Sequence, residues 1–368
     1  MMTGSSRKKE CCIVAMMVFF LFFIGFDVCK AAAPPKVKEL KWATFFPEAD
    51  YNAQLLKQLR NDIEAHTHGA IKPKLYYAGQ IAETKDLPGL CRSGAVEMTT
   101  SAPLQYPSIF PLNTVLQMVQ LVFKTTEQVA YTWRGLLRDV PEIQGEYAKQ
   151  NQYCLTRACL SMYYTLSKKP IRNLADLKGV KIRALPGKHA SELMKSIGAT
   201  PIMIAPAEIY EGLMRGVLDA VMMPVQAFES LRFYEAAKYV SLPYGANPGF
   251  YTNINLDVWN SFTPEIKGAF TKAAMEYGVR DLELQVGSEN KSIESLKKKG
   301  VQFIEFDKKD LETLIAKAGD PWAAAKDYAI NELKADAAVV DKLVKRWREL
   351  TDEYNQRYLS TGKKWEYK

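Results

Sequence analysis

The pattern of apolar and polar positions changes period several times within residues 171–224. Apolar and charged residues alternate over 180–184, which is the period of a half-buried strand. Helical spacing appears over 190–197 and 209–217, and a nearly all-apolar run over 218–223 predicts a strand covered on both faces. Strands that alternate with helices in this way predict an α/β lobe with parallel strand pairs.

Ligands of open parallel sheets bind beside the carboxyl ends of the strands. Arg183 lies at the end of the first predicted strand, and Met222 and Met223 lie at the end of the last. A planar guanidinium presents paired donors that fit a carboxylate. Arg183 is therefore a candidate for binding an anion, and the alternative from the pattern alone is a solvated arginine at a strand end.

The preceding part of the chain predicts a second lobe of the same kind. Strands are predicted over 37–44, 71–77 and 94–98, with helices between them. The residues that follow these strands are candidates for lining a cleft, with loop scaffolding as the alternative. They are Phe45, Ser101 and Gln105.

A long helix is predicted over 264–299. Thr263 is its N-cap, Pro264 occupies the first position, and Gly300 ends it. At 1.5 Å per residue it would be roughly 54 Å long, more than one small lobe needs. An edge strand is expected over 301–306, followed by amphipathic helix.

The N-terminus has the pattern of a secretory signal peptide over 1–31. Arg7 and two lysines precede an apolar core over 11–26, and Asp27 follows that core. A retained membrane anchor is the competing interpretation, weakened by the short core. Without this segment three cysteines remain, Cys91, Cys154 and Cys159; the odd number argues against a disulfide framework but leaves one bridge open.

Composition indicates an ordinary globular protein of two domains. The 368 residues are 48% apolar and 24% charged, and the net charge of +8 is spread without a dense basic run, which argues against nucleic-acid binding. The histidines are His66, His68 and His189, and no hydrolase, metalloprotease or nucleotide-binding motif occurs. His66 and His68 lack a nearby third metal ligand, so they are interpreted as exposed turn residues. We expect neither catalysis nor a metal or cofactor.

Several segments resemble a known family. They are D-L-K-G-V-K-I-R (176–183), I-G-A-T-P (197–201), E-I-Y-E-G-L-M-R-G-V-L-D-A (208–220) and A-G-Q-I (78–81). These segments resemble the solute-binding subunits of tripartite ATP-independent periplasmic (TRAP) transporters, of the dicarboxylate-binding type. The resemblance implies a two-lobed α/β periplasmic binding protein with a long helix that spans both lobes. It also implies that Arg183 binds the substrate carboxylate.

Two positions depart from the family pattern. Tyr163 stands where a second pocket arginine is common, and Met222 and Met223 stand where Glu and Asn are common. A phenol and two thioethers suit an apolar or aromatic ligand body. The alternatives are an alignment error of one residue, or methionines that point into the core.

The predicted function is capture of an organic acid in the periplasm and its delivery to a membrane permease of one small and one large subunit. A sensory module that feeds a receptor kinase and, further off, a periplasmic enzyme are the alternatives. The predicted substrate-binding residues are Arg183, Tyr163, Met222, Met223, Phe45, Ser101 and Gln105. The predicted domains are a signal peptide (1–31), lobe I (37–160, completed by 250–285), lobe II (161–249, completed by 286–345), a lobe-spanning helix (264–299), and a C-terminal helix with polar tail (346–368).

Overall fold

The computed structural model describes residues 38–119, 122–184, 188–244, 249–363 and 365. The predicted signal peptide lies outside the described residues. So does the chain between residues 244 and 249.

The described residues form two sheets and the helices that cover them. The strands are β1 (Lys38–Thr44), β2 (Ile71–Tyr76), β3 (Met98–Ser101), β4 (Gln152–Cys159), β5 (Tyr163–Ser167), β6 (Lys181–Arg183), β7 (Thr200–Pro201), β8 (Ala220–Pro224), β9 (Tyr239–Tyr244), β10 (Gly249–Asn255) and β11 (Gln302–Phe303). The α-helices are α1 (Tyr51–His66), α2 (Leu87–Ser93), α3 (Pro111–Val115), α4 (Thr126–Asp139), α5 (Glu142–Lys149), α6 (Lys188–Ser196), α7 (Ile209–Arg215), α8 (Val225–Ser230), α9 (Leu256–Asn260), α10 (Pro264–Lys298), α11 (Lys308–Ala318), α12 (Pro321–Asp327) and α13 (Ala337–Tyr354).

The two sheets have related topologies. The first has the strand order β2-β1-β3-β10-β4, and the second has the order β11-β9-β5-β8-β6-β7. In the first sheet β10 runs antiparallel to β3 and β4, and in the second β5 runs antiparallel to β8 and β9. Strand β10 follows β9 of the second sheet in the sequence, and β5 follows β4 of the first sheet, so both antiparallel strands come directly after a strand of the other sheet. The predicted two-lobed α/β fold is confirmed.

The second lobe has an apolar core on each face of its sheet. One core surrounds Ile182 and Met222, and the other surrounds Leu213 and Val221. Strand β8 is buried along its whole length. This confirms that the all-apolar run is a strand covered on both faces, because every side chain along it finds an apolar neighbour.

The long helix is also confirmed. The Thr263 hydroxyl accepts a hydrogen bond from the Ile266 N–H at 3.4 Å, and Pro264 begins the helix. Phe270 packs in the first-lobe core, whereas Leu296 packs in the second-lobe core. One helix therefore contributes to both lobes.

Two boundaries differ from the sequence prediction. Strand β3 begins at Met98, where the predicted strand ends, because Gly94 has φ +74° and ends helix α2. Residues 286–345 are predicted to complete the second lobe. In the structure α11 packs on that lobe, whereas α13 packs against α4 of the first lobe and α12 packs against α13 in the same core. An amphipathic pattern shows that a face is buried but does not identify the partner that covers it.

The polar residues singled out in the sequence have ordinary surroundings. The three described cysteines are free thiols, and two of them lie in β4. His66 is only partly exposed, since its Nε2 lies 2.9 Å from a Glu276 carboxylate oxygen, so the expectation of an exposed turn residue does not hold for it.

Candidate functional site

A cavity of about 50 Å³ lies between the two lobes. Its walls come from the first lobe, the second lobe and the chain that crosses between them. They are formed by Phe45, Phe46, Asp50, Ala102, Leu104, Gln105, Gln117, Leu160, Tyr163, Arg183, Pro206, Met223 and Gly249. A larger groove of about 260 Å³ lies within the first lobe, between β4, α4 and α10. The smaller cavity, in contrast, is lined by residues of both lobes.

Five of the seven predicted site residues meet at this cavity. They are Phe45, Gln105, Tyr163, Arg183 and Met223. Ser101 and Met222 do not line it. Ser101 is buried in β3, opposite Tyr251 of β10.

Strand register explains why only one of the two methionines reaches the cavity. Successive side chains of a strand point to opposite faces of the sheet. Arg183 pairs with Val221 in parallel register, so Arg183 and Met223 share a face. Met222 faces the other way and packs in the core with Ile182. The sequence left open whether the two methionines line the pocket or point into the core. Met222 points into the core.

Arg183 is buried at the end of β6, and none of the ion pairs between described residues includes it. It is 6% exposed, and no described carboxylate pairs with its guanidinium. Burial lowers the pKa of Arg183, and interaction with the Tyr163 phenol opposes that change. The pKa of Tyr163 is raised above its ordinary value by burial, and the Arg183 charge counters part of that rise. A buried charge that lacks a partner is costly, so this arrangement favours binding of an anion.

Asp50 lines the same cavity and was not predicted. It is 1% exposed and caps helix α1, where its Oδ1 accepts hydrogen bonds from Asn52 N at 2.8 Å and Asn52 Nδ2 at 3.0 Å. Burial raises the pKa of Asp50 to about 6, against the hydrogen bonds from Asn52 that lower it. In the sequence, an aspartate directly before a helix is explained as an N-cap, so nothing in the local pattern marks it as a cavity residue.

The remaining walls of the cavity are largely apolar. The rings of Phe45 and Phe46 are tilted by 32° with their centroids 4.1 Å apart, and Phe46 meets Phe250 edge-on at 4.8 Å. Leu160 and Met223 add aliphatic and thioether surface. The cavity thus combines an arginine, a carboxylate and two amide side chains with apolar walls. No group of three or more His, Cys, Asp or Glu side chains suited to a metal occurs in the part of the chain that the structure describes.

A family comparison identifies the class of protein that has this arrangement. The family described as bacterial extracellular solute-binding protein, family 7, matches residues 42–327, which is most of the chain. The chain belongs to this family.

Individual relatives agree with the family match. This solute-binding protein is 27% identical over 250 residues to the 2,3-diketo-L-gulonate-binding periplasmic protein YiaO of Escherichia coli K12, covering 67% of this chain and 75% of YiaO. Its fold is similar to that of DctP7 from Bordetella pertussis, an extracytoplasmic solute receptor binding pyroglutamic acid, with a TM-score of 0.76, 18% identity and coverage of 85% of this chain and 100% of DctP7.

The fold is also similar to that of a TRAP periplasmic solute-binding protein from Roseobacter denitrificans with bound β-D-glucuronate. The TM-score is 0.71 at 21% identity, and the match covers 83% of this chain and 99% of the Roseobacter chain. At these identities the solved structures show the fold. In the described residues of this solute-binding protein, no helix combines the length and hydropathy needed to cross a membrane.

A buried hydrogen-bond network lies at the junction of the two lobes in this solute-binding protein. Its centre is Gln285 of α10, whose Nε2 donates to Asn52 Oδ1 at 2.9 Å and to Asp281 Oδ1 at 3.1 Å. The Gln285 Oε1 accepts from Ser161 N at 3.1 Å and from the Tyr51 hydroxyl at 3.2 Å. Asn52 and Tyr51 belong to α1, whereas Ser161 lies in the crossing between β4 and β5.

The second lobe joins this network through Gln226 of α8. Its Nε2 donates to Ser161 Oγ at 2.8 Å and to Ser288 Oγ at 3.1 Å. The Ser161 hydroxyl donates in turn to the Gln285 backbone oxygen at 2.8 Å. The network therefore connects α1, the first crossing, α10 and α8.

Proposed function

We propose that this protein captures an organic acid between its lobes, with Arg183 binding the ligand carboxylate. The observation that carries the proposal is that Arg183 is buried, lines the interlobe cavity and has no carboxylate partner among the described residues. A ligand carboxylate would supply the missing charge and accept two parallel hydrogen bonds from the guanidinium. Tyr163, beside Arg183, would add a hydroxyl donor.

The body of the ligand would lie against the apolar walls. Phe45 and Gln105 would contact it from the first lobe, and Met223 from the second. Contacts to both lobes stabilise the closed arrangement, and this differential affinity drives hinge closure. The walls favour an acid with an apolar or aromatic body.

The family match and the sequence resemblance support a role in TRAP transport. After removal of residues 1–31, the protein would act in the periplasm and deliver its ligand to the small and large permease subunits. Relatives named for 2,3-diketo-L-gulonate, pyroglutamic acid and glucuronate support an organic acid as the ligand class. The comparisons add no support to the sensory or enzymatic alternatives.

A ligand panel tests the proposal. The secreted protein is screened by thermal shift against dicarboxylates, 2-oxo acids, sugar acids, and branched and aromatic monocarboxylates, because a ligand that binds the folded state raises the melting temperature. We expect a shift with monocarboxylates that have an apolar body, and its loss in Arg183→Ala. The control is Arg172→Ala, since Arg172 is an exposed arginine of the same lobe.

Three results would contradict parts of the proposal. A change in Kd below about 3-fold in Arg183→Ala, equivalent to less than about 1 kcal/mol, would show that Arg183 does not bind the ligand carboxylate. Shifts with dicarboxylates or sugar acids alone would overturn the apolar ligand body. The absence of a shift with every acid would overturn organic-acid binding.

A further inference from the structure

Asp50 and Arg183 lie in opposite lobes and line the same cavity. Asp50 is 1% exposed and Arg183 is 6% exposed, so both are largely withdrawn from bulk water. A ligand whose carboxylate is bound by Arg183 therefore brings the rest of its atoms toward a second, acidic wall.

Helix capping accounts for only one oxygen of Asp50. Oδ1 accepts both hydrogen bonds from Asn52, at 2.8 and 3.0 Å. Oδ2 has no hydrogen-bond partner among the described residues. A serine or asparagine caps a helix as well as an aspartate does, so the cap alone does not require the second oxygen.

The surroundings of Asp50 do not neutralise its charge. None of the described ion pairs includes Asp50, and Tyr51 and Tyr163 are the ionisable groups whose pKa values its charge raises. Its own pKa, raised to about 6 by burial, leaves it mainly ionised at neutral pH. An ionised carboxylate is purely a hydrogen-bond acceptor.

A buried acceptor beside the ligand discriminates between acids of the same shape. A site that is built to accept a hydrogen bond rejects an analogue that lacks the donor, because the buried polar group is then left unpaired. Here the penalty is larger, since an unshielded Asp50 also repels the ligand carboxylate.

We infer that Asp50 selects carboxylates that carry a hydrogen-bond donor on the part of the ligand that shares this cavity with the acid group: a hydroxyl, an amide N–H or an ammonium. The inference rests on the proposed function and narrows its substrate class. The apolar walls then hold the remainder of such a ligand, so that the preferred solute is an apolar-bodied acid with one donor.

Matched ligand pairs test this inference. The probes are 2-hydroxy-4-methylpentanoate against 4-methylpentanoate, phenyllactate against 3-phenylpropanoate, and pyroglutamate against cyclopentanecarboxylate. Binding to the secreted protein is measured by titration calorimetry. In at least one pair we expect the member with the donor to bind at least about 10-fold more tightly.

The decisive variant is Asp50→Asn. Asparagine keeps the acceptor that caps α1 but places an amide donor where the second acceptor stood. We expect the ratio of the two Kd values within each ligand pair to fall toward one. The melting temperature without ligand should be the same as that of the wild type. Asp336→Asn is the matched control, because Asp336 caps α13 through a 3.0 Å bond from Val339 N, and its ratio should equal that of the wild type.

The results separate this inference from the proposed function. Equal binding within every pair, or a ratio that Asp50→Asn leaves unchanged, would overturn the role of Asp50. If Arg183→Ala still abolishes binding in that case, the carboxylate clamp stands and only the selection by Asp50 fails. If Arg183→Ala binds as the wild type does, the proposed function fails, and the inference fails with it.

Discussion

The interlobe cavity and the network around Gln285 are close to each other, yet their buried polar groups differ in how completely they are hydrogen-bonded. In the network the amide of Gln285 has partners on both its nitrogen and its oxygen, and Ser161 both donates and accepts. In the cavity Arg183 has no carboxylate partner and Asp50 has an unused oxygen, both statements being limited to the described residues.

This difference separates a structural role from a binding role. A polar group with all its partners inside the protein specifies one arrangement of the chain and gains little from a ligand. A buried group with unused hydrogen-bonding capacity is costly until a ligand supplies the partner. Substitutions in the network should therefore affect stability, whereas substitutions in the cavity should affect affinity.

Gln285→Leu gives the largest expected effect. It leaves Asn52, Asp281 and Ser161 with incomplete hydrogen bonding in a buried site, and we expect the free energy of unfolding to fall by about 3–4 kcal/mol. Urea denaturation measures the change. Glu294→Leu, an exposed position on the same helix, is the control. A loss below about 1 kcal/mol would show that the network is not tightly coupled to folding.

Met222→Ala and Met223→Ala compare the two faces of β8. Met222 is 1% exposed and packs in the core, so its truncation should cost about 3 kcal/mol of stability and leave ligand affinity unchanged. Met223 lines the cavity, so its truncation should also weaken binding of apolar-bodied acids. Denaturation and calorimetry on both variants measure these effects. Loss of affinity in Met222→Ala alone would reverse the assignment of the faces.

Arg183→Lys keeps the charge and removes the planar fork. We expect Kd to rise about 30-fold, close to 2 kcal/mol, because an ammonium cannot form the two parallel bonds of a guanidinium. The melting temperature without ligand should stay near that of the wild type. Affinity equal to the wild type would mean that Arg183 acts only as a point charge.

Asp281→Asn should alter the pH dependence of stability. Burial raises the pKa of Asp281 to about 7 from an ordinary value of 3.8, so the unfolded chain releases this proton at a lower pH than the folded protein. Stability is therefore lost as pH rises from about 4 to 7, and asparagine removes that loss. We expect the variant to gain about 1–2 kcal/mol over the wild type between pH 5 and pH 8. A difference independent of pH would contradict the raised pKa.

The sequence predicted much of the fold because local pattern carries it. The alternation over 180–184, the Thr263 cap and the all-apolar run over 218–223 each correspond to an element in the structure. Arg183 could be identified from the sequence for the same reason. Its place at a strand end is a local property, and the family resemblance suggested its role.

Other features depend on contacts between distant parts of the chain. The sequence placed both methionines at a strand end, but register with β6 decided that Met223 faces the cavity and Met222 the core. The partner of α13 was equally undetermined, because an amphipathic helix buries its apolar face against any suitable surface.

By itself, the sequence determined the order of strands and helices, the helix shared by the two lobes and the arginine at the end of β6. Only the tertiary structure decided that Asp50 lines the same cavity as Arg183 and that Gln285 joins α1, α10 and the first crossing. The physical reason is range: caps and periodicity act over a few residues, whereas Asp50 and Arg183 meet only after two lobes have folded and packed together.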